Sequence, residues 1–225
     1  MDYLYLLIAV PAALVAMLAQ SLLKSRYASA KTQSASITGA AAARAVLDSA
    51  GLQSVQIEQI AGELTDHYDP RAKVLRLSEN SYNGRNLAAI GVAAHEAGHA
   101  IQDAQKYKLM VLRQIAVPLA SYGGNSAMGL IAAGLAAQNQ TLAMIGVAAF
   151  SLVVLFQLIN LPVEYNASSR AKKQLANLGF VTSAQAPHVR KMLSAAALTY
   201  VAGTLSAIAQ LLALLARVNR TNARR

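Results

Sequence analysis

Four long apolar stretches dominate the pattern of hydrophobic and polar positions along the chain. None of them contains Lys, Arg, Asp or Glu, and they cover residues 3–23, 114–137, 142–161 and 193–216. A helix rises about 1.5 Å per residue, so about 20 apolar residues span a hydrocarbon layer about 30 Å thick. The pattern therefore predicts four transmembrane helices, the second and third of which are joined by a short turn at Gln138-Asn139-Gln140.

The composition supports a membrane protein. Of the 225 residues, 55% are apolar and only 13% are charged, whereas about a quarter of the residues in a soluble domain are charged. The alternative, buried helices in a large soluble core, would leave too little polar surface to cover them. We therefore expect a mainly α-helical integral membrane protein with a small α+β portion. The absence of Cys excludes thiolate ligands for a metal.

The net charge of +10 is concentrated in segments that flank the apolar stretches. Basic and aromatic residues do not alternate, so we expect contact with anionic membrane lipid and no binding of nucleic acid. The positive-inside rule places the two basic segments between the apolar stretches, residues 24–113 and 164–191, in the cytoplasm. The pattern therefore predicts a multi-pass protein of the cell (inner) membrane. The same rule conflicts with the C-terminal arginines, which four spans would place outside. A last helix lying in the membrane interface would remove that conflict.

Residues 32–110 carry the signals of a small folded portion. Thr38 precedes an alanine-rich run that ends at Gly51, which predicts an N-capped helix. Three short runs predict strands over 55–60, 64–68 and 74–78, the last two forming a β-hairpin around Asp69-Pro70-Arg71. Ser81 or Asn83 is then positioned to cap the long helix that follows.

That long helix, over about residues 86–105, carries the candidate chemistry. His95 and His99 are four residues apart, so they lie one turn apart on one face and can share a single cation. Glu96 lies beside the first of them, where a general base for a metal-activated water is needed. Zinc suits such a site because it lowers the pKa of a bound water to about 7. Two exposed histidines on an amphipathic helix are the alternative interpretation.

A catalytic zinc needs a third protein ligand and an open position. His67, His188 and the carboxylates are the candidates, and Glu164 is the strongest. It is the first charged residue after a 50-residue uncharged run, and Pro162 predicts that a new helix starts beside it at the membrane boundary. An acid in the first turn also stabilises a helix dipole, and that interpretation stays open.

Five segments in order resemble one known family, the YugP-type bacterial membrane zinc metallopeptidases. The segments are LTDHYDP (64–70), LRLSE (75–79), VAAHEAGHA (92–100), LPVEYNAS (161–168) and AALTYVA (196–202). The resemblance covers nearly the whole chain and implies a membrane-embedded peptidase with one zinc ion. More distantly, the layout is similar to the HtpX and CAAX-prenyl-protease group, in which a Glu-x-x-Ala-Asp segment completes a gluzincin-like zinc site.

The resemblance implies a role for each matching residue. His95, His99 and Glu164 are the expected zinc ligands, and Glu96 is the expected catalytic base. Ser168 stands where the more distant group has Asp, so the residue that orients a ligand histidine is in question. The candidates for that role are Ser168, Asn166 and Asp66.

The expected activity is cleavage of peptide bonds in membrane proteins or membrane-delivered peptides, with the active site on the cytoplasmic side. Residues 74–78 are the candidate edge strand for binding substrate, and His67 and Tyr200 are candidate hydrogen-bond donors to the transition state. One alternative is a non-proteolytic membrane factor that keeps zinc for structure or regulation. Another, a metal transporter, is disfavoured because the predicted spans carry no charge.

These predictions divide the chain into five segments. They are an N-terminal membrane anchor (1–31), a catalytic portion (32–110), a transmembrane hairpin (111–161), a segment with the third ligand (162–192), and a C-terminal transmembrane helix with a basic tail (193–225).

Overall fold

A computed structural model describes the backbone of residues 3–223 and the side chains of residue 7 and residues 9–220. Helices account for most of this range, which confirms the predicted mainly α class. The elements are α1 (Tyr3–Lys31), α2 (Gly39–Ser49), β1 (Gln56–Ile60), β2 (His67–Asp69), β3 (Val74–Ser78), α3 (Glu79–Asn83), α4 (Leu87–Ala104), α5 (Lys108–Ala136), α6 (Gln140–Asn177) and α7 (Ala186–Ala223).

The three strands form one small mixed sheet in the order β1-β3-β2. β2 and β3 pair antiparallel as the predicted hairpin, and β1 adds to β3 in parallel. Residues 74–78 were predicted to be an edge strand, and this prediction is wrong, because β3 is the central strand. Its sequence fits that position, since Val74, Leu75, Leu77 and Ser78 are all buried. Near-continuous burial along a strand is typical of the inside of a sheet.

The helix that carries the candidate chemistry covers the predicted range, but its N-cap is not one of the predicted residues. Asn86 is its N-cap, and the Asn86 side chain accepts a hydrogen bond of 2.9 Å from Ala89 N. Ser81 and Asn83, the predicted caps, belong instead to the separate short helix α3. The first predicted helix is confirmed as α2, with Thr38 as its N-cap. Gly51 follows it with a positive φ of 74°, a conformation that glycine adopts without strain.

Helix α6 runs without interruption through Pro162. The prediction that Pro162 starts a new helix is therefore wrong. A proline inside a helix removes one backbone hydrogen bond, and long apolar helices tolerate this where neighbouring groups compensate. The predicted turn between α5 and α6 is present, and Gln138 adopts a positive φ of 53° there.

Within the described residues, two helices are long and apolar enough to cross a membrane, Gln140–Asn177 and Ala186–Arg220. Four spans were predicted, and the described residues support two. The predicted second span lies in α5, which is not one of these two helices and which carries the polar residues Ser121, Asn125 and Ser126 in its middle. The predicted first span lies in α1, where the side chains of residues 3–6 and 8 are outside the described residues.

The chain divides into two compact units. One consists of residues 1–20, 111–162 and 199–225, and its core is an apolar cluster around Ile131, Val147 and Leu214. The other consists of residues 21–110 and 163–198. It contains the sheet, α2 to α4, the C-terminal part of α6 and the N-terminal part of α7. The predicted metal-binding residues all belong to this second unit.

Candidate metal centre

Three predicted ligands meet at one point in the second unit. His95 and His99 lie on α4, Glu164 lies on α6, and one donor atom from each lies within 4.8 Å of the others. Glu164 Oε2 is 3.2 Å from His95 Nε2 and 3.6 Å from His99 Nε2. Glu164 is 2% exposed, so a buried carboxylate faces two imidazole nitrogens.

The donor set fits a zinc ion. Zinc binds His nitrogen and carboxylate oxygen at about 2.0–2.2 Å in a tetrahedron, so neighbouring ligand atoms are about 3.3–3.5 Å apart. The two distances to Glu164 Oε2, 3.2 and 3.6 Å, lie close to that separation. Two nitrogen donors and one carboxylate also match the ligand types of catalytic zinc sites, which leave one position open.

The other ring nitrogen of each histidine has a protein partner, which orients the ring. His95 Nδ1 is 3.1 Å from Ser168 Oγ, and His99 Nδ1 is 2.9 Å from Gln102 Oε1. Gln102 Oε1 is an acceptor, so His99 Nδ1 carries the proton and donates. The Nε2 atoms that face Glu164 are then the nitrogens available to a metal, as expected when outer partners fix the tautomer.

Gln102 is part of a longer network that sequence reasoning missed. It is fully buried, and its Nε2 donates to Val163 O at 2.8 Å and to Asn166 Oδ1 at 3.0 Å. Arg170 Nε also donates to Asn166 Oδ1, at 2.7 Å. The spacing of three residues between His99 and Gln102 was the available signal, because it places both on one helix face.

Glu96 is almost completely buried next to the ligand histidines. Burial raises the pKa of its carboxyl, and the neighbouring His95 and His99 oppose this effect. The backbone N–H of Tyr68, on β2, donates a hydrogen bond of 3.1 Å to Glu96 Oε2. A carboxylate beside a metal site, held by a strand, has the placement that a general base requires.

The side chain of Tyr68 attaches β2 to α4 a second time. Its hydroxyl donates to Asp103 Oδ2 at 2.8 Å, and Asp103 also pairs with Lys73. Burial and the bond to Asp103 raise the pKa of Tyr68 well above its usual range, so the hydroxyl stays protonated and continues to donate. The strand that holds Glu96 is therefore fixed by two different bonds from one residue.

The remaining sequence candidates lie elsewhere. Asp66 accepts hydrogen bonds from Ser78 N and Ser78 Oγ, so it supports the sheet and does not orient a ligand histidine. His67 is exposed, and its Nδ1 is 2.8 Å from Thr65 O. His188 lies near the start of α7 and is not part of the cluster, and Tyr200 belongs to the other compact unit.

Close packing brings together the two helices that carry the candidate ligands. Gly98 lies between the ligand histidines and Ala167 lies three residues after Glu164, and a Cβ added at Gly98 would be 2.8 Å from Ala167 O. Only a residue without a side chain allows this approach. The spacing of α4 and α6 at the metal centre thus depends on Gly98.

A buried His-Glu-x-x-His helix completed by a Glu from a second helix is typical of a zinc metallopeptidase. The chain belongs to the family described as "Putative neutral zinc metallopeptidase", which matches residues 5–219. It is also 47% identical over 175 residues to "Putative membrane protease YugP" of Bacillus subtilis (strain 168), and the match covers 78% of each chain. No solved structure matches the chain. The resemblance to the YugP-type family is confirmed, and the distant similarity to the HtpX group stays a prediction.

Proposed function

We propose that this protein is a membrane-associated zinc endopeptidase with His95, His99 and Glu164 as ligands of one ion. The observation that carries the proposal is that both histidine Nε2 atoms face the buried Glu164 carboxylate while Glu96 lies beside them. When bound, zinc supplies a Lewis acid that polarises a peptide carbonyl and makes a water molecule acidic near neutral pH.

The residues around the proposed zinc site would transfer the proton and orient the reacting groups. Glu96 accepts a proton from the attacking water and passes it to the nitrogen of the leaving amine, which is general acid–base catalysis. Tyr68 N–H keeps the Glu96 carboxylate in position. Ser168 and Gln102 hold the histidine rings so that the Nε2 atoms face Glu164.

The substrate backbone is expected to run along β2. This strand is an edge of the sheet, and Tyr68 N–H points away from β3 towards Glu96. Because Tyr68 N–H is already bonded to Glu96, an extended peptide would add to the other main-chain groups of this strand edge. The two candidate spans and the basic loops favour membrane proteins or peptides as substrates, at the cytoplasmic side of the cell membrane.

The test compares Glu96→Gln with wild type. Each protein is reconstituted in lipid vesicles together with a membrane-inserted reporter protein. We expect the variant to bind zinc with unchanged stoichiometry and to cleave none of the reporter. Glu79→Gln is the matched control, because Glu79 is an exposed carboxylate in α3, and it should cleave normally. Glu164→Ala should lose zinc, which metal analysis of the purified protein measures directly.

A non-proteolytic zinc factor is the competing function, and the same variants separate the two. Such a factor would need zinc and not the Glu96 carboxylate. Full complementation in cells by Glu96→Gln, together with no cleavage by wild type, would refute the peptidase. Stoichiometric zinc in Glu164→Ala would remove Glu164 from the ligand set and leave the two histidines as the metal site.

A further inference from the structure

A cavity in the unit of residues 21–110 and 163–198 has a lining that does not include the metal-site residues. It has a volume of about 260 Å³ and is formed by the end of α6, the following loop and the start of α7. Leu175, Val181 and Pro187 give it an apolar wall, and Lys172 and Arg190 line it with positive charge. None of the metal-site residues lines this cavity, so it can bind a ligand of its own.

The two cations in this cavity lack an acidic partner among the described residues. Lys172 and Arg190 carry like charges and line the same cavity, and Lys172 Nζ lies 5.9 Å from the centroid of the Tyr165 ring. Residues 164–191 contain one carboxylate, Glu164, which belongs to the metal centre. An anion between Lys172 and Arg190 would convert their repulsion into two attractions.

The cavity also selects for shape and polarity. Arginine binds phosphate through two parallel N–H groups, and lysine adds a point charge. The apolar wall favours a ligand whose anionic group is attached to a hydrocarbon body. Leu175 and Val181 are already buried, so a hydrocarbon body would contact only the side of the wall that faces the cavity, and a free inorganic anion would gain the charge interactions alone.

We propose that this cavity binds an amphiphilic phosphate, with the phosphate between Lys172 and Arg190 and the hydrocarbon part against Leu175, Val181 and Pro187. The phosphate has two possible sources, the headgroup of an anionic phospholipid or a soluble alkyl phosphate ester. The proposal goes beyond the peptidase activity, because it requires neither zinc nor Glu96.

The experiment measures binding to the full-length protein in neutral detergent by titration calorimetry. The probes are dihexanoyl phosphatidic acid, hexyl phosphate and dihexanoyl phosphatidylcholine, the last of which carries the same chains without net charge. Replacing Lys172 and Arg190 together by Gln should weaken phosphatidic acid binding by about tenfold or more, since each cation near an anionic lipid contributes about 1 kcal/mol.

The matched control replaces Lys173 and Lys191 by Gln. It removes the same charge from neighbouring exposed positions that do not line the cavity, so binding should stay within about twofold of wild type. A second variant exchanges the two cations, Lys172→Arg with Arg190→Lys. It keeps both charges and should bind, which separates a lost contact from a misfolded protein.

The outcomes decide both the site and the source of its ligand. Tighter binding of phosphatidic acid than of hexyl phosphate assigns a lipid headgroup, and equal binding assigns a soluble ester. Equal loss in the cavity variant and in the Lys173/Lys191 control would reduce the effect to surface charge and overturn the proposal. Binding of phosphatidylcholine as tight as that of phosphatidic acid, or no binding of any probe, would overturn it as well.

Discussion

The backbone N–H of Tyr68 donates a hydrogen bond of 3.1 Å to Glu96 Oε2. A main-chain group of strand β2 therefore orients the carboxylate beside the proposed metal ligands. The position of β2 depends in turn on the bond of 2.8 Å between the Tyr68 hydroxyl and Asp103 Oδ2, seven residues after Glu96 on α4. The proposed function therefore couples substrate alignment to base orientation, because it assigns both to the same short strand.

Tyr68→Phe should lower kcat and leave zinc binding unchanged. The substitution removes the hydroxyl that holds β2 on α4, so the N–H that orients Glu96 is less well fixed. We expect a loss of about 1 kcal/mol in stability and a several-fold fall in kcat at constant zinc content. Steady-state kinetics on the reporter substrate, with zinc quantified in parallel, measures both.

Tyr82→Phe is the control for that substitution. Tyr82 is half-buried, and its hydroxyl makes no hydrogen bond within the described part of the chain. It should retain wild-type kcat and stability. An unchanged kcat in Tyr68→Phe would show that β2 stays in place without the bond to Asp103.

Ser168→Ala should weaken zinc binding by about tenfold, the low end of the effect of removing a partner of a ligand histidine. Ser168 lies 3.1 Å from His95 Nδ1 and is 4% exposed. Ser168→Asp restores an acceptor and should bind zinc more tightly than Ser168→Ala. Competition with a fluorescent chelator gives the affinities. Ser169→Ala removes an exposed neighbouring hydroxyl, and a similar loss there would assign the effect to the helix and not to His95.

The residues of the candidate metal site could be predicted from the sequence because their signals are local. The spacing of His95 and His99 defines one face of a helix, and the position of Glu164 after an uncharged run marks it for a special role. The structure brings these three together. Ser168 was one of three candidates to orient a histidine, and only the packing of α6 on α4 distinguishes it from Asp66.

The features that escaped prediction depend on contacts distant in sequence. Strand order is one, since β3 becomes central only because β1 joins it from across the hairpin. The bond from Tyr68 to Glu96 is another, because a backbone N–H leaves no mark in the sequence. Gln102 resembles any polar residue near a helix end until α6 packs over it. Pro162 was misinterpreted because, in an apolar segment, a proline can lie at the start of a helix or inside one, and here it lies inside α6.

Gln102→Met should weaken zinc binding by about tenfold or more. The change keeps the length of the side chain but removes the acceptor of His99 Nδ1 and the donor to Val163 O. Leaving buried polar groups without partners should also cost about 1–3 kcal/mol in the stability of the metal-free protein. Chelator competition and thermal unfolding of the metal-free protein separate the two effects.

Gln105→Met is the control, because Gln105 is exposed and contacts Arg170 Nη1. The same chemical change three residues away should leave zinc affinity near the wild-type value. Equal losses of affinity in the two variants would mean that the glutamine bonded to His99 has no special part in holding the ring.

Gly98→Ala should destabilise the protein and lower its zinc affinity. In an open helix this substitution stabilises by about 1 kcal/mol, but here the new Cβ would lie 2.8 Å from Ala167 O. Helices α4 and α6 must then move apart, which separates His99 from Glu164. Gly203→Ala has no atom within 4 Å of the new Cβ and should unfold at the same temperature as wild type or above it. Wild-type unfolding temperature and zinc affinity in Gly98→Ala would show that this close approach does not set the geometry of the metal centre.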